Sequence, residues 1–410
     1  MWALAALLFW QAANPSSDGL KALNEHRYEA AVQAFTKAIE ADPKDYTAHF
    51  NLALAYGFLN KDAEAIAEYR KTLELKPGLY EAQINGGMVL LREKQPAGAL
   101  PLLEAAAKQK PKEFRPLYYL AEAQLQTGAL ADAEASYRAA LALDAKSANA
   151  ELGLAHALAR QGKLDDAAPH FRTAAQLDPR LRTYLLELAG LYETNHRPAQ
   201  AIEICREFPD DPAAQEHLGE LMLETKAYAG AVPSLEAAYN KSPTEANRAA
   251  LAAAYVFTKQ LDKAIPLLQQ AVAAAPSNYD IRMMYARALR DGRQFQPAAA
   301  QFYAAAKLKP ADYRPWSELG GMLYMANDFP QALAAFDRAR DLGENTAGNW
   351  FMRAIILDKL SHGEARNPKL LKPALDAYRQ FLTMSQGKNP DQEFQARHRS
   401  KFIEGELEKR

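Results

Sequence analysis

The sequence predicts an all-α chain, an α-solenoid of stacked helix pairs. Three observations predict it. First, Ala31, Ala65, Ala99, Ala133, Ala167 and Ala201 fall 34 residues apart, and the column continues through Ala231, Ala264, Ala298, Ala332 and Ala374. Alanine at one register and a near-constant period marks a repeat array, in which each unit packs on its neighbours, and not one compact core. Second, four residues after each alanine stands a larger apolar side chain: Phe35, Tyr69, Leu103, Tyr137, Phe171, Cys205, Leu235, Leu268, Phe302, Phe336 and Tyr378. Three residues further on come mostly small ones, such as Ala38, Thr72, Ala106, Ala140 and Ala174. Offsets of four and seven share one helical face, and small, large, small on that face lets a second helix approach and receive the ring. Third, twelve residues after the alanine come Pro43, Pro77, Pro111, Pro179, Pro276 and Pro310, where proline stops one helix and opens the next.

The alanine column belongs to the second helix of each unit. The first helix is marked thirteen residues earlier by Leu52, Gly86, Leu120, Leu154, Leu188, Leu218, Leu251, Tyr285 and Leu319. A small residue follows each, including Ala53, Gly87, Ala121, Gly219 and Gly320. Between the helices, Asn60, Gly128, Gly162 and Asn327 share one offset and suit a left-handed cap. The units run 12–45, 46–79, 80–113, 114–147, 148–181, 182–211, 212–244, 245–278, 279–312, 313–346 and 347–386. The sixth is four residues short, which predicts a local change of pitch, and the eleventh carries eight extra residues at 361–368. Residues 1–13 form an apolar N-terminal segment, 14–386 the repeats and 387–410 a polar C-terminal capping helix. In that helix Phe394, Phe402 and Ile403 are expected to cover the last repeat face.

The unit resembles the tetratricopeptide repeat. Trp316, Leu319, Gly320, Leu323, Ala332, Phe336 and Ala339 make a near-complete copy of that family's pattern. The resemblance implies antiparallel helix pairs stacked into a right-handed superhelix whose concave face is lined by the first helix of each pair. It implies a protein-interaction scaffold or adaptor, because the pattern consists of packing residues and carries no chemistry.

Composition narrows the function. The net charge is −1, so there is no basic excess to neutralise phosphates and nucleic-acid binding is not expected. Cys205 is the one cysteine; it sits in the apolar column and reads as a packing thiol. Trp2 to Trp10 form an apolar run like the hydrophobic part of a secretory signal, too short to span a membrane, with no preceding Lys or Arg. A signal with its basic start upstream, an uncleaved anchor and a hydrophobic cap on the first repeat all fit. The first reading places the protein outside the cytoplasm, in a periplasm-like compartment; otherwise it is cytoplasmic. No other stretch is apolar enough to span a bilayer.

No catalytic, metal or cofactor motif is present: no paired-histidine helix, no nucleophile elbow, no phosphate loop and no dinucleotide fingerprint. Asp165-Asp166 and Asp210-Asp211 lie at turns, where helix capping explains them, and Gly86-Gly87 and Gly320-Gly321 permit close helix contact. The candidate site is therefore the inward face of the first helices. Its candidate peptide-binding residues are Phe50, Asn51, Asn85, Arg115, Tyr118, Tyr119, Glu216, Glu220, Met283, Arg287, Tyr324 and Phe351. Aromatic and methionine side chains suit a peptide, and the glutamates suit a basic stretch of it. Packing between neighbouring first helices is the competing reading of each residue. Asn51 and Asn85 repeat one inward position, as in family members that hold a peptide backbone with asparagine. Phe50, Ile84, Tyr118 and Leu152 stand where the family's carboxylate clamp needs lysine, so binding of chaperone tails through such a clamp is not expected. The alternative function is a structural or self-associating component of an envelope or secretion assembly that uses the convex face or the ends of the array.

Overall fold

The computed structural model describes residues 15–362 and 367–409. The apolar run of residues 2–10 lies outside them. Two units divide the chain, Met1–Gln200 and Ala201–Arg410. The division falls in the sixth repeat, the short one. Among the described residues there are α-helices and two 3-10 turns, with no strand.

The first unit contains α1 (Pro15–Asn24), α2 (Tyr28–Ala41), α3 (Tyr46–Phe58), α4 (Asp62–Leu75), α5 (Tyr80–Arg92), α6 (Pro96–Gln109), α7 (Phe114–Thr127), α8 (Leu130–Leu141), α9 (Ala148–Arg160), α10 (Leu164–Leu177) and α11 (Tyr184–Thr194). α12 (Pro198–Cys205) carries the division. The second unit continues with α13 (Pro212–Glu224), α14 (Tyr228–Lys241), α15 (Glu245–Phe257), α16 (Leu261–Ala274), α17 (Tyr279–Asp291), α18 (Phe295–Leu308), α19 (Arg314–Met325), α20 (Phe329–Asp341), α21 (Ala347–His362), α22 (Leu371–Ser385) and α23 (Pro390–Glu408). Odd-numbered helices up to α21 are the first helices of the repeats, and even-numbered ones the second. Within each unit the two helices of a pair pack side by side and antiparallel, and outside the eleventh repeat a short turn joins them.

All eleven column alanines are 0% exposed, and the larger column is buried throughout. The glycines show why the pattern is small against large. A Cβ on Gly87 would lie 2.6 Å from Leu103, and one on Gly19 2.7 Å from Phe35, so the large residue fills the space of the missing side chain in its own repeat. Tyr69 and Tyr137 also press on Gly86 and Gly153 of the following repeat. The large column thus packs on first helices of its own repeat and, at Tyr69 and Tyr137, of the next one, which couples those repeats. Gly321 departs from the expectation for its pair: nothing lies within 4 Å of its Cβ position, whereas Gly320 sits under the Phe336 ring.

The turns inside the repeats follow one rule. The residue five before the column alanine has positive φ in ten repeats, at His26, Asn60, Lys94, Gly128, Gly162, His196, Lys226, Lys259, Arg293 and Asn327. The following N–H closes the helix, as Lys61 to the Tyr56 carbonyl at 2.9 Å and Gln95 to the Leu90 carbonyl at 2.8 Å. First helices are capped by side chains: Asp45, Ser147, Asp211, Thr244 and Asn278 each accept from backbone N–H groups of the first turn.

At the C-terminus the buried stripe of α23 is Glu393, Ala396, Ser400 and Ile403. Ile403 covers the last repeat as expected, but Phe394 is 76% exposed and Phe402 46% exposed. The helix is rotated away from them by polar bonds. Arg399 clamps Asp358 through two 2.7 Å bonds, Tyr378 donates to the same carboxylate at 3.1 Å, and His362 Nε2 lies 2.9 Å from Glu406.

Candidate peptide-binding face

The first helices present their inward side chains at a constant register, so residues about 30 to 35 apart meet across neighbouring repeats. In the first unit this builds a cleft of about 340 Å³ from α3, α5 and α7, lined by Leu54, Phe58, Asn85, Met88, Arg92, Arg115 and Tyr119. Three of the sequence-selected residues, Asn85, Arg115 and Tyr119, come together there. Phe58 at its edge is 58% exposed and stacks on Tyr28 with ring centroids 4.7 Å apart.

The two arginines of this cleft differ in electrostatic state. Arg92 is bound to the buried Asp62 through Nε and Nη2. The Asp62 carboxylate beside it raises its pKa. Arg115 is exposed, and its Nη2 meets only neutral acceptors, Asn85 Oδ1 at 3.4 Å and Met88 Sδ at 3.0 Å. No carboxylate among the described residues pairs with it. An exposed guanidinium beside aromatic rings and a primary amide can bind an incoming carboxylate in bidentate fashion.

The other selected residues are placed as follows. Phe50 is half-buried, with its ring edge-on to Tyr69 at 6.0 Å. Asn51 is buried and its amide nitrogen donates to the Thr47 carbonyl at 2.9 Å. Tyr118 stacks on Phe114 at 5.5 Å and meets Tyr119 edge-on at 5.1 Å, and burial raises its hydroxyl pKa. These rings hold Tyr119 at the cleft wall.

In the second unit, Met283 and Arg287 share a cleft of about 300 Å³ with Phe257, Tyr279, Met284 and Arg314. Met283 is buried, and Arg287 is exposed with its Nε 3.8 Å from Glu318. Glu318 also receives two bonds from Arg290, at 2.8 and 2.9 Å, so charge on this face is largely compensated. Glu216 and Tyr324 are half-buried, Glu220 is exposed, and Phe351 is buried against Phe381 at 4.7 Å. None of these four lines either cleft.

Other clefts lie outside the sequence selection. One, of about 400 Å³, is formed by Glu122, His156, Arg160 and Glu187 with Leu125 and Leu191. Another lies between second helices around Trp316 and has about 470 Å³. The register shows such residues to be neighbours, but the depth between them depends on the side chains of two or three repeats at once. Among the described residues, no group of three or more His, Cys, Asp or Glu side chains is placed to hold a metal ion.

Comparison with known proteins identifies the repeat. A tetratricopeptide repeat model matches residues 19–80, 85–148, 152–212 and 286–349, and a second one matches 245–288. The chain belongs to the tetratricopeptide repeat family. A tetratricopeptide repeat and J domain-containing co-chaperone, DNJ1 of Cryptococcus neoformans var. grubii, is 31% identical over 88 residues. That match spans 22% of this chain and only 17% of the co-chaperone. Solved structures of MamA are similar to part of the chain. The one from Desulfovibrio magneticus RS-1 is 24% identical at a TM-score of 0.38, covering 40% of this chain and 94% of that one. Another is 19% identical at a TM-score of 0.38, covering 42% and 93%. Tetratricopeptide repeats are protein-interaction scaffolds, so protein partners are implied for this chain. Among the described residues no helix is long and apolar enough to cross a membrane.

Proposed function

We propose that this tetratricopeptide protein is a non-catalytic adaptor that binds a peptide segment of a partner on the first-helix face of its first unit. The observation that carries the reading is Arg115, an exposed cation without a carboxylate, in a cleft with Asn85, Tyr119, Met88 and Phe58. The bound segment presents an acidic side chain or a terminal carboxylate to Arg115 and an apolar residue to Phe58 and Tyr119. Arg92 is committed to Asp62 and shapes the wall.

The test uses wild-type and Arg115→Glu protein as bait in native extract, with quantitative mass spectrometry. The expected result is a partner retained by wild type and lost from the variant. Its mapped segment should carry a carboxylate, and the same segment with lysine substituted there should bind Arg115→Glu. A partner held equally by both proteins rejects this cleft.

A second reading, self-association through the C-terminal end, is favoured by the exposure of Phe394 and Phe402 on α23. Light scattering over a range of concentrations, with Phe394→Ser as control, separates it from the adaptor reading. The apolar run of residues 2–10 supports export of the protein, which cell fractionation with and without that run tests.

A further inference from the structure

In three of the repeats a polar pair joins two registers that the tenth fills differently. In the second, fifth and ninth repeats the side chain sixteen residues before the column alanine meets the residue three after it. His49 Nδ1 lies 2.5 Å from Glu68, His170 Nδ1 lies 2.5 Å from Glu151, and Arg282 Nη1 donates to Gln301 Oε1 at 2.8 Å. In the tenth repeat the same two registers hold Trp316 and Ala335. The indole Nε1 is buried and has no acceptor among the described residues. A buried donor of this kind calls for an explanation, because leaving it unmade costs more than an average hydrogen bond contributes.

The space beside these two registers in the tenth repeat is open. Between α18, α19 and α20 lies a cleft of about 470 Å³, lined by Trp316, Tyr303 and the four alanines Ala299, Ala300, Ala334 and Ala335. Gln296 and Gln331 add primary amides to its wall. Such a volume is in the usual range for a ligand site, roughly 300–1,000 Å³. Tyr303 is a further departure: its register holds Arg70, Arg138, Arg172 and Asp337 in other repeats. An exposed ring thus replaces a solvated charge, and Trp316 meets it edge-on at 6.0 Å.

We propose that this cleft is a second recognition site, built mainly by second helices. It takes a partner peptide that presents an apolar residue next to a glutamine or glutamate. The apolar residue lies on the alanines and Tyr303. The side-chain oxygen of the Gln or Glu accepts from Trp316 Nε1. The occupant's chemistry is read from the chain itself, since Gln301 and Glu68 are what fills this register in the ninth and second repeats.

The test is a random dodecapeptide phage library panned on the full chain and counter-selected on Ala335→Gln. That substitution supplies in the chain the amide that Gln301 supplies one repeat earlier. Surviving peptides should carry Gln or Glu beside an apolar residue and shift the Trp316 indole ¹H–¹⁵N resonance. They should bind Trp316→Phe about ten-fold more weakly, the worth of one buried hydrogen bond. Arg115→Glu should bind them unchanged, which separates this site from the first-unit cleft. Trp316→Phe keeps an aromatic side chain and removes the donor, so it carries the test if Ala335→Gln fails to fold by circular dichroism. Recovery of no surviving peptide overturns the proposal. So do survivors that bind Trp316→Phe equally, or that leave the indole resonance unmoved as a solvent-bonded indole would.

Discussion

Gly321→Ala should be more stable than Gly320→Ala although the residues are neighbours in α19. Both substitutions gain the same helix propensity, about 1 kcal/mol, because alanine loses less backbone freedom than glycine. The environments differ. A Cβ on Gly321 meets nothing within 4 Å, so the gain is kept. A Cβ on Gly320 would lie 2.8 Å from two ring carbons of Phe336 and 3.0 Å from a third. Phe336 is 4% exposed and has little room to retreat. Overpacking of this kind costs about 1–3 kcal/mol, which offsets or exceeds the propensity gain. The difference between the variants is therefore about 1–3 kcal/mol, and the unfolded-state contribution largely cancels in it. Urea titration followed by far-ultraviolet circular dichroism reads this as midpoints separated by roughly 0.3–1 M for a slope near 3 kcal/mol/M. Equal midpoints, or a lower midpoint for Gly321→Ala, would refute the claim that the larger column fixes the small residue opposite it.

Two other substitutions probe separate features. Lys94→Gly should stabilise by about 0.5–1 kcal/mol, because Lys94 holds φ at 56° in a turn where Gly128 serves the fourth repeat; a lower melting temperature would contradict this. Glu134 is held at a pKa of about 2 by the Lys163 ammonium, then by the Gln161 amide and Arg138. Its folded value lies below its unfolded one, so its contribution is present above about pH 4.5 and is lost as pH falls towards 2. The melting-temperature gap between wild type and Glu134→Gln should narrow across that window and shrink in salt, whereas a constant gap would deny the pairing.

The fold was legible because packing in a solenoid constrains residue type position by position. Ala133 and Tyr137 are 0% exposed for the reason that made them visible: no larger residue fits the first place and a smaller one leaves the second empty. The turns were legible only in part. Asn60, Gly128, Gly162 and Asn327 announce a left-handed residue, but Lys226, Lys259 and Arg293 adopt the same conformation. There the closing backbone hydrogen bond fixes the turn whatever the side chain. Phe394 and Phe402 were misplaced because hydrophobicity alone ignores the pull of Arg399 on Asp358. The candidate site was legible as a set of positions but not as a set of states. Arg115 and Arg287 are both first-helix arginines, yet Glu318 compensates Arg287 and no carboxylate among the described residues compensates Arg115.

A chain of repeats carries its own internal comparison, and both proposed recognition sites follow from it. Where a register serves packing, every repeat must satisfy the same contact, and variation is confined to side chains that do so. Where a register supports a polar pair, as at His49 with Glu68 or Arg282 with Gln301, losing one partner leaves a group that the fold itself does not need. Trp316 opposite Ala335 is such a loss inside the structure, and Arg115 without a carboxylate is the same kind of loss on the surface. The costs differ. An exposed guanidinium keeps its water and costs little until a ligand arrives, so it contributes to encounter and specificity. A buried indole donor has already lost its water, so an acceptor supplied by a ligand recovers the whole desolvation cost at once. The Trp316 cleft should therefore dissociate the more slowly of the two, and its affinity should depend far less on salt.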